Sequence, residues 1–200
     1  MPIERCPWAT ASTLEAVYHD QEWGVPVHDD RVLFEFLTLE GAQAGLSWRT
    51  VLAKRAHYAG VFVGYNLPRL AELTDAALEQ HLLDPGIVRN RLKVWSVRSN
   101  ARAAIAVQAE FGSLDAFLWS FTGGSVITNH RRESREVPAR TELSEQLGKA
   151  LAKRGFKFTG STIMYAFMQA VGMVNDHLLD CPRHRAVQGC MPLSGDSTVT

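Results

Sequence analysis

The sequence has 200 residues, 46% of them hydrophobic, and its 21 Lys and Arg balance 21 Asp and Glu. That length buries a proper core as one domain or as two small lobes sharing a cleft, and the balanced charge excludes a global electrostatic case for a polyanionic partner, which would need a local patch. Cys6, Cys181 and Cys190 are too few and scattered for a disulfide framework, no run is long enough to span a bilayer, and MPIERCPWAT lacks the apolar core of a secretory signal, so a cytoplasmic protein with no membrane partner is expected.

In chain order, residues 1–28 have little periodicity but carry Cys6, Trp8, Tyr18, His19, Trp23 and His28. Gly24 and Pro26 mark a turn, and Asp29-Asp30 can cap a helix beginning near Val32. A second helix is expected from Ser47, with Val51, Leu52 and Tyr58 inward and Lys54 and Arg55 on its wet side. Asn66-Leu67-Pro68 reads as another helix start, and Thr74 opens a short amphipathic helix that stops at Asp84-Pro85-Gly86. A long helix restarts at Ile87 and ends near Gly112. Trp119 and Phe121 close the next helix, and 122–140 reads as an exposed loop in which Arg131 and Arg132 are candidate DNA contacts. Helices are expected over Leu143 to Leu151 and Ser161 to Met173. The pattern shows no convincing strand, so the fold class is all-α. The segment 185–200 reads as a disordered tail.

Three constellations carry chemistry. On the Val32 helix, Leu33, Leu37 and Ala44 share a side with Glu40, while Glu35 points roughly 140° away. An inward carboxylate asks for a cationic or hydrogen-bonding partner, although a core salt bridge or a frayed helix end fits the same pattern. Gly41, Gly45 and then Trp48 follow it, as a ligand pocket would need. Second, the helix, Pro85-Gly86 turn and helix form a hairpin whose free N–H groups can hold a phosphate, with Arg89, Arg91 and Lys93 adding charge; a plain helix corner fits equally. Third, His177 and Cys181 stand four apart and share a face if helical, and Cys6 and His19 offer a second pair. Zinc suits two thiolates and two imidazoles in a closed tetrahedron, although the spacing is not that of a familiar finger.

Taken together, the segments R-C-P-W at 5–8, Y-H-D-Q-E-W-G-V-P at 18–26, L-E-G-A-Q-A-G-L-S-W at 39–48, K-R-G-F-K-F at 153–158 and Q-A-V-G-M-V-N-D-H at 169–177 with Cys181 resemble the bacterial 3-methyladenine DNA glycosylase I family. The resemblance implies a helix-hairpin-helix DNA glycosylase fold with two helical lobes around a cleft, in one domain over 1–184, the hairpin around 74–110. It implies a structural Zn2+ held by Cys6, His19, His177 and Cys181, tying segments 6–19 and 177–181. It maps the base pocket onto Glu40, with Tyr18 and Trp48 as walls and Trp8 and Trp23 as neighbours, and the DNA grip onto Pro85, Gly86 and Arg89. Leu46 is the candidate wedge into the space a flipped base vacates, or else an ordinary core leucine. This chain departs from the family pattern in its tail, at 122–140, and at Asn90 and Leu92.

The implied activity is hydrolysis of the N-glycosidic bond of 3-methyladenine in double-stranded DNA, releasing the base and leaving an abasic site without strand cleavage, by a monomer. N3-methylated adenine is cationic and leaves without prior protonation, so aromatic faces and the Glu40 carboxylate would select it over neutral adenine. Asp115, the one aspartate in the thirty residues after the hairpin, is assigned no role. Two other readings share the residues: a metallohydrolase with Glu40 as base to a metal-bound water, and a non-enzymatic binder of alkylated DNA.

Overall fold

A computed structural model describes residues 4–189. Among them eleven α-helices dominate, and no helix is long and apolar enough to cross a membrane. Helices α1 (Thr13–Gln21) and α2 (Asp30–Gln43) are followed by the short α3 (Trp48–Leu52), α4 (Arg55–Val61), α5 (Leu67–Ala71) and α6 (Asp75–His81). The long α7 (Arg91–Phe111) leads to α8 (Leu114–Trp119), and α9 (Glu142–Lys153), α10 (Ser161–Ala170) and α11 (Arg183–Ala186) complete the set. Two two-residue strands, β1 (Ile127–Thr128) and β2 (Val174–Asn175), pair in parallel, an element that no period-2 pattern of that length announces.

The core forms around α2. Asp29 caps it by accepting the Val32 N–H at 2.9 Å, and Leu33, Phe34, Phe36 and Leu39 on its flanks are buried completely or nearly so. Each such side chain contributes about 2 kcal/mol of burial. The apolar α10 packs between α2 and α9, while α7 packs on α5 and α8. Asp30 ties the two groups by accepting the N–H groups of Leu114 and Asp115, each at 2.8 Å.

Several expectations need correction. The helix expected from Ser47 breaks between Leu52 and Arg55, and the break rephases the next helix: Arg55 is turned inward, bonded to Glu35 at 2.8 Å and Glu22 at 2.5 Å. The helix expected from Ile87 begins at Arg91, where Asn90 accepts the Lys93 N–H; residues 87–90 extend the turn, and Val88 donates to the Tyr58 hydroxyl. The apolar run from Ser161 leaves the helix after Ala170 to form β2. Residues 185–189 of the expected disordered tail are helical, with Val187 buried. The rest of that tail, including Cys190, lies outside the described residues.

Candidate active site

A cavity of about 420 Å³ opens among Trp8, Tyr18, Trp23, Glu40, Gln43 and Trp48, with Val137, Gln169 and Asp176 of the second half on its far side. Helix α1 supplies Tyr18, α2 supplies Glu40 and α3 supplies Trp48. The Tyr18 and Trp48 rings are 5.3 Å apart and tilted by 49°, and Trp8 meets Trp23 edge-on at 5.0 Å.

The electrostatics set this cavity apart. Glu40 is 4% exposed, and its Oε2 has no hydrogen-bond partner. The Tyr18 hydroxyl and the Trp48 Nε1–H are likewise buried and unpartnered. Burial alone moves the Glu40 carboxyl from an ordinary 4.5 up to about 8. The Tyr18 phenol is also pushed well up, by burial first and then by the nearby Glu40. Glu35 on the same helix has Arg55 instead. The periodicity that separates the two glutamates therefore also separates a paired acid from an unpaired one.

Against the same tryptophans lies a second cluster. The ligating atoms of Cys6, His19, His177 and Cys181 all lie within 4.8 Å of one another, and all four residues are buried, a set able to hold a metal ion. Cys181 Sγ is 3.5 Å from His19 Nε2 and 3.7 Å from His177 Nδ1, and Cys6 Sγ is 3.8 Å from His177 Nδ1. The outer nitrogens are committed elsewhere. His19 Nδ1–H donates to Asp20 at 2.8 Å, Asp20 is gripped by Arg5 at 2.7 Å, and His177 Nε2–H donates to the Trp23 carbonyl at 2.9 Å. Such backing fixes tautomer and ring orientation in metal sites. The neighbouring Cys6 thiol holds Cys181 below the ordinary thiol range, and Cys181 together with burial pushes Cys6 up. Trp8 and Trp23 join the clusters, each with an edge against cavity or imidazole; Trp23 is 4.6 Å from His177 and Trp8 is 5.5 Å from His19.

The resemblance between this arrangement and known proteins extends over most of the chain. A family model described as methyladenine glycosylase matches residues 8–184. The chain belongs to the methyladenine glycosylase family. The DNA-3-methyladenine glycosylase of Haemophilus influenzae is 43% identical over 178 residues, which is 89% of this chain and 96% of that protein. A crystal structure of a 3-methyladenine DNA glycosylase I, 46% identical, superposes with a TM-score of 0.87 over 89% of this chain and 98% of its own. A Staphylococcus aureus 3-methyladenine DNA glycosylase I, solved for the structural basis of 3-methyladenine recognition, is 31% identical with a TM-score of 0.87, covering 90% of this chain and 96% of that one.

In this family member the residues expected to touch DNA are placed unevenly. Pro85 and Arg89 are exposed, and Leu46 is 42% exposed, which sets it apart from a core leucine. Gly86 lies so close to His57 that a Cβ would overlap the ring, and His57 Nε2 in turn donates to Asp84 at 2.8 Å. The charges around the turn are partly diverted. Arg91 pairs with Glu79 and stacks 4.1 Å over Trp95, and Lys93 bonds two carbonyls of α2's end. Arg131, a candidate DNA contact by sequence, is drawn to Asp176 and the Glu136 carbonyl. Asp115 is taken up by His28 at 2.7 Å.

Asp176 itself was not marked by the sequence pattern. It is 2% exposed and accepts from Asn129 at 2.8 Å, Arg131 at 3.2 Å, Tyr165 at 2.5 Å and Gln169 at 2.8 Å. These bonds hold the loop carrying Val137 against α10, closing the cavity's far wall. The signal was available in Q-A-V-G-M-V-N-D-H, where Gln169 and Asp176 sit beside the metal-type ligand His177.

Proposed function

We propose that this chain hydrolyses the N-glycosidic bond of 3-methyladenine in alkylated double-stranded DNA, releasing the free base and leaving an abasic site with the strand uncut. The observation that carries this reading is the aromatic cavity holding three unpartnered buried polar atoms on Glu40, Tyr18 and Trp48. A buried polar group without a bond costs roughly 1–3 kcal/mol, a cost offset when a ligand supplies the missing bond. Before the base arrives, the raised Glu40 pKa keeps the carboxyl largely protonated near neutral pH. A cationic base favours the carboxylate, so the Glu40 proton passes to solvent as the base enters, and the anion then opposes the ring's charge. The Tyr18 and Trp48 faces attract the same cation. Neutral adenine offers neither reward, which gives selectivity for a base whose leaving ability is already built in.

To reach this cavity the base must leave the helix stack. The extended turn around Pro85 and Gly86, with Arg89, would hold the phosphate backbone in helix-hairpin-helix fashion, and Leu46 would fill the vacated space. In this mechanism water attacks an oxocarbenium-like sugar carbon, and no lysine nucleophile is used. The protein acts as a cytoplasmic monomer.

The Cys6, His19, His177 and Cys181 donors suit zinc. Zinc bonds of about 2.3 Å to sulfur and 2.0–2.1 Å to nitrogen in a tetrahedron require S···N edges near 3.6 Å, and three of the four S···N separations here are 3.5–3.8 Å, with all donor atoms within 4.8 Å of one another. Zinc would supply a structural cross-link and allow both thiols to be thiolates. Four protein donors leave no position for a water, which weighs against the metallohydrolase reading.

The test is base release. Purified protein is incubated with duplex DNA treated with a methylating agent, and the free bases are separated and identified. Release of 3-methyladenine with other methylated purines largely retained is the expected result. Binding to the methylated duplex without release would make the protein a binder instead, and a borohydride-trapped protein–DNA adduct would replace hydrolysis by a lysine mechanism.

A further inference from the structure

The end of α2 passes the chain from one side of the cavity to the other. Glu40 and Gln43 line the cavity before it and Trp48 after it. Between them the chain bends through Ala44 (φ −46°, ψ 112°) and Gly45 (φ +79°), and the bend carries Leu46 into solvent. The bend itself is closed by the Leu46 N–H, which donates to the Gln43 carbonyl at 2.6 Å, while the Ala44 N–H reaches the Gly41 carbonyl only at 3.4 Å. Its tie to the rest of the fold comes from far along the sequence, because Lys93 Nζ donates to the carbonyls of both Ala42 and Ala44 at 2.7 Å.

Lys93 stands in the first turn of α7, where its own N–H is held by the Asn90 cap at 3.1 Å. Its backbone is thus part of the turn that follows Pro85 and Gly86, while its ammonium is part of the bend that presents Leu46. Two of the three donors of the ammonium are spent on carbonyls, which leaves it poorly placed to serve as a phosphate contact. Its burial disfavours the charge somewhat and lowers its pKa, an expense offset by the Ala42 and Ala44 carbonyls at the negative end of α2.

We infer that Lys93 is a positioning residue that locks the Leu46 bend to the hairpin turn, so that the segment gripping the DNA backbone and the side chain entering the stack hold one fixed spacing. This rests on the glycosylase reading above and adds to it a route from backbone grip to base extrusion. The bend turns at Gly45 (φ +79°) and is closed by the Leu46–Gln43 backbone bond. Without the ammonium it retains its course in the folded chain but loses its fixed relation to the hairpin.

The experiment compares two substrates prepared from one methylated strand, annealed so that its adenines are either paired with thymine or held in an unpaired bubble. Single-turnover release of 3-methyladenine is measured for the wild type, Lys93→Met, which keeps the stem and drops the ammonium, and Leu46→Ala. We expect Lys93→Met to slow release about tenfold from the paired substrate and less than threefold from the bubble, where no base needs extruding. Leu46→Ala should show the same split, and the double variant should be little worse than either single one, because both act on one step. Trp fluorescence titrated with free 3-methyladenine should be unchanged in Lys93→Met, which separates an intact pocket from a damaged one. Equal losses on both substrates, no loss on either, or single losses that multiply in the double variant would overturn the inference. Should Lys93→Met not fold, Lys93→Gln is read by the same criteria. Absence of release by the wild type from both substrates would instead fail the glycosylase reading itself.

Discussion

In the Cys6, His19, His177 and Cys181 cluster each imidazole has its outer nitrogen bonded, to Asp20 and to the Trp23 carbonyl, and Asp20 is itself held by Arg5. In the adjoining cavity Glu40, Tyr18 and Trp48 present polar atoms with nothing to meet them. Both sets are buried and both touch Trp8 and Trp23, so burial alone does not distinguish them. The difference is the stage at which the bonds are completed. One cluster groups donors able to hold an ion within the protein, and on the proposed function the other is completed by a transient visitor. The two are joined through Trp8 and Trp23, which line the cavity and pack against His19 and His177.

Breaking the finished side should have the largest effect. Cys181→Ser should lower bound metal well below one per chain and depress the melting temperature by about 10 °C, as the loss of a structural cross-link does in a domain of this size. Unchanged metal content with unchanged melting would remove the cross-link from the account. Glu40→Gln comes next and should act oppositely on function and stability. Base release from methylated duplex is expected to fall by about a hundredfold, since the group opposing the cation is gone. Stability should rise in a pH-dependent way. The folded-state pKa of Glu40 is raised, so its neutral form is tolerated at low pH and the penalty grows as pH climbs from about 4.5 through about 8. Relative to wild type, the variant should therefore gain little at pH 4 and on the order of 3 kcal/mol above pH 8. A gain independent of pH would show that Glu40 finds a partner in solution.

Asp20→Asn sharpens the contrast more gently. The ligands stay but their backing weakens, and metal affinity should drop about 10–100-fold in a competition with a chelator, with base release by the loaded protein little changed. Tyr18→Phe is the smallest change. Removing an unpartnered hydroxyl should raise stability by about 1 kcal/mol while slowing base release several-fold, and a destabilised variant would mean that the hydroxyl is bonded after all.

The inward direction of Glu40 was legible because one uninterrupted helix carries it, and helical period converts spacing into direction. The four metal-type donors were legible from their chemistry, since two thiols and two imidazoles in a protein with few cysteines invite pairing. Arg55 was not legible. Its side depends on a two-residue break after Leu52, and no glycine or proline marks that break. Lys93 and Arg131 were misread for a related reason: a basic residue near a turn looks solvated until the carbonyls or carboxylate that claim it are known, and those lie 49 and 45 residues away in sequence. Asp176 escaped notice because its four donors come from two other segments, the loop at Asn129 and Arg131 and the helix α10 at Tyr165 and Gln169.

The cluster that backs Trp8 and Trp23 spans 171 residues between Cys6 and His177 and 162 between His19 and Cys181. On the ribosome this imposes a schedule. Cys6, Trp8, His19 and Trp23 emerge early and wait, as an incomplete pair of donors with two unsupported indoles, while nearly all the intervening helices are made. Only when Cys181 leaves the exit tunnel can the four donors meet and that wall of the cavity be set. A chain interrupted before that point carries Glu40 and Trp48 without Gln169 and Asp176 opposite them, so the cavity is among the last features of the fold to be completed.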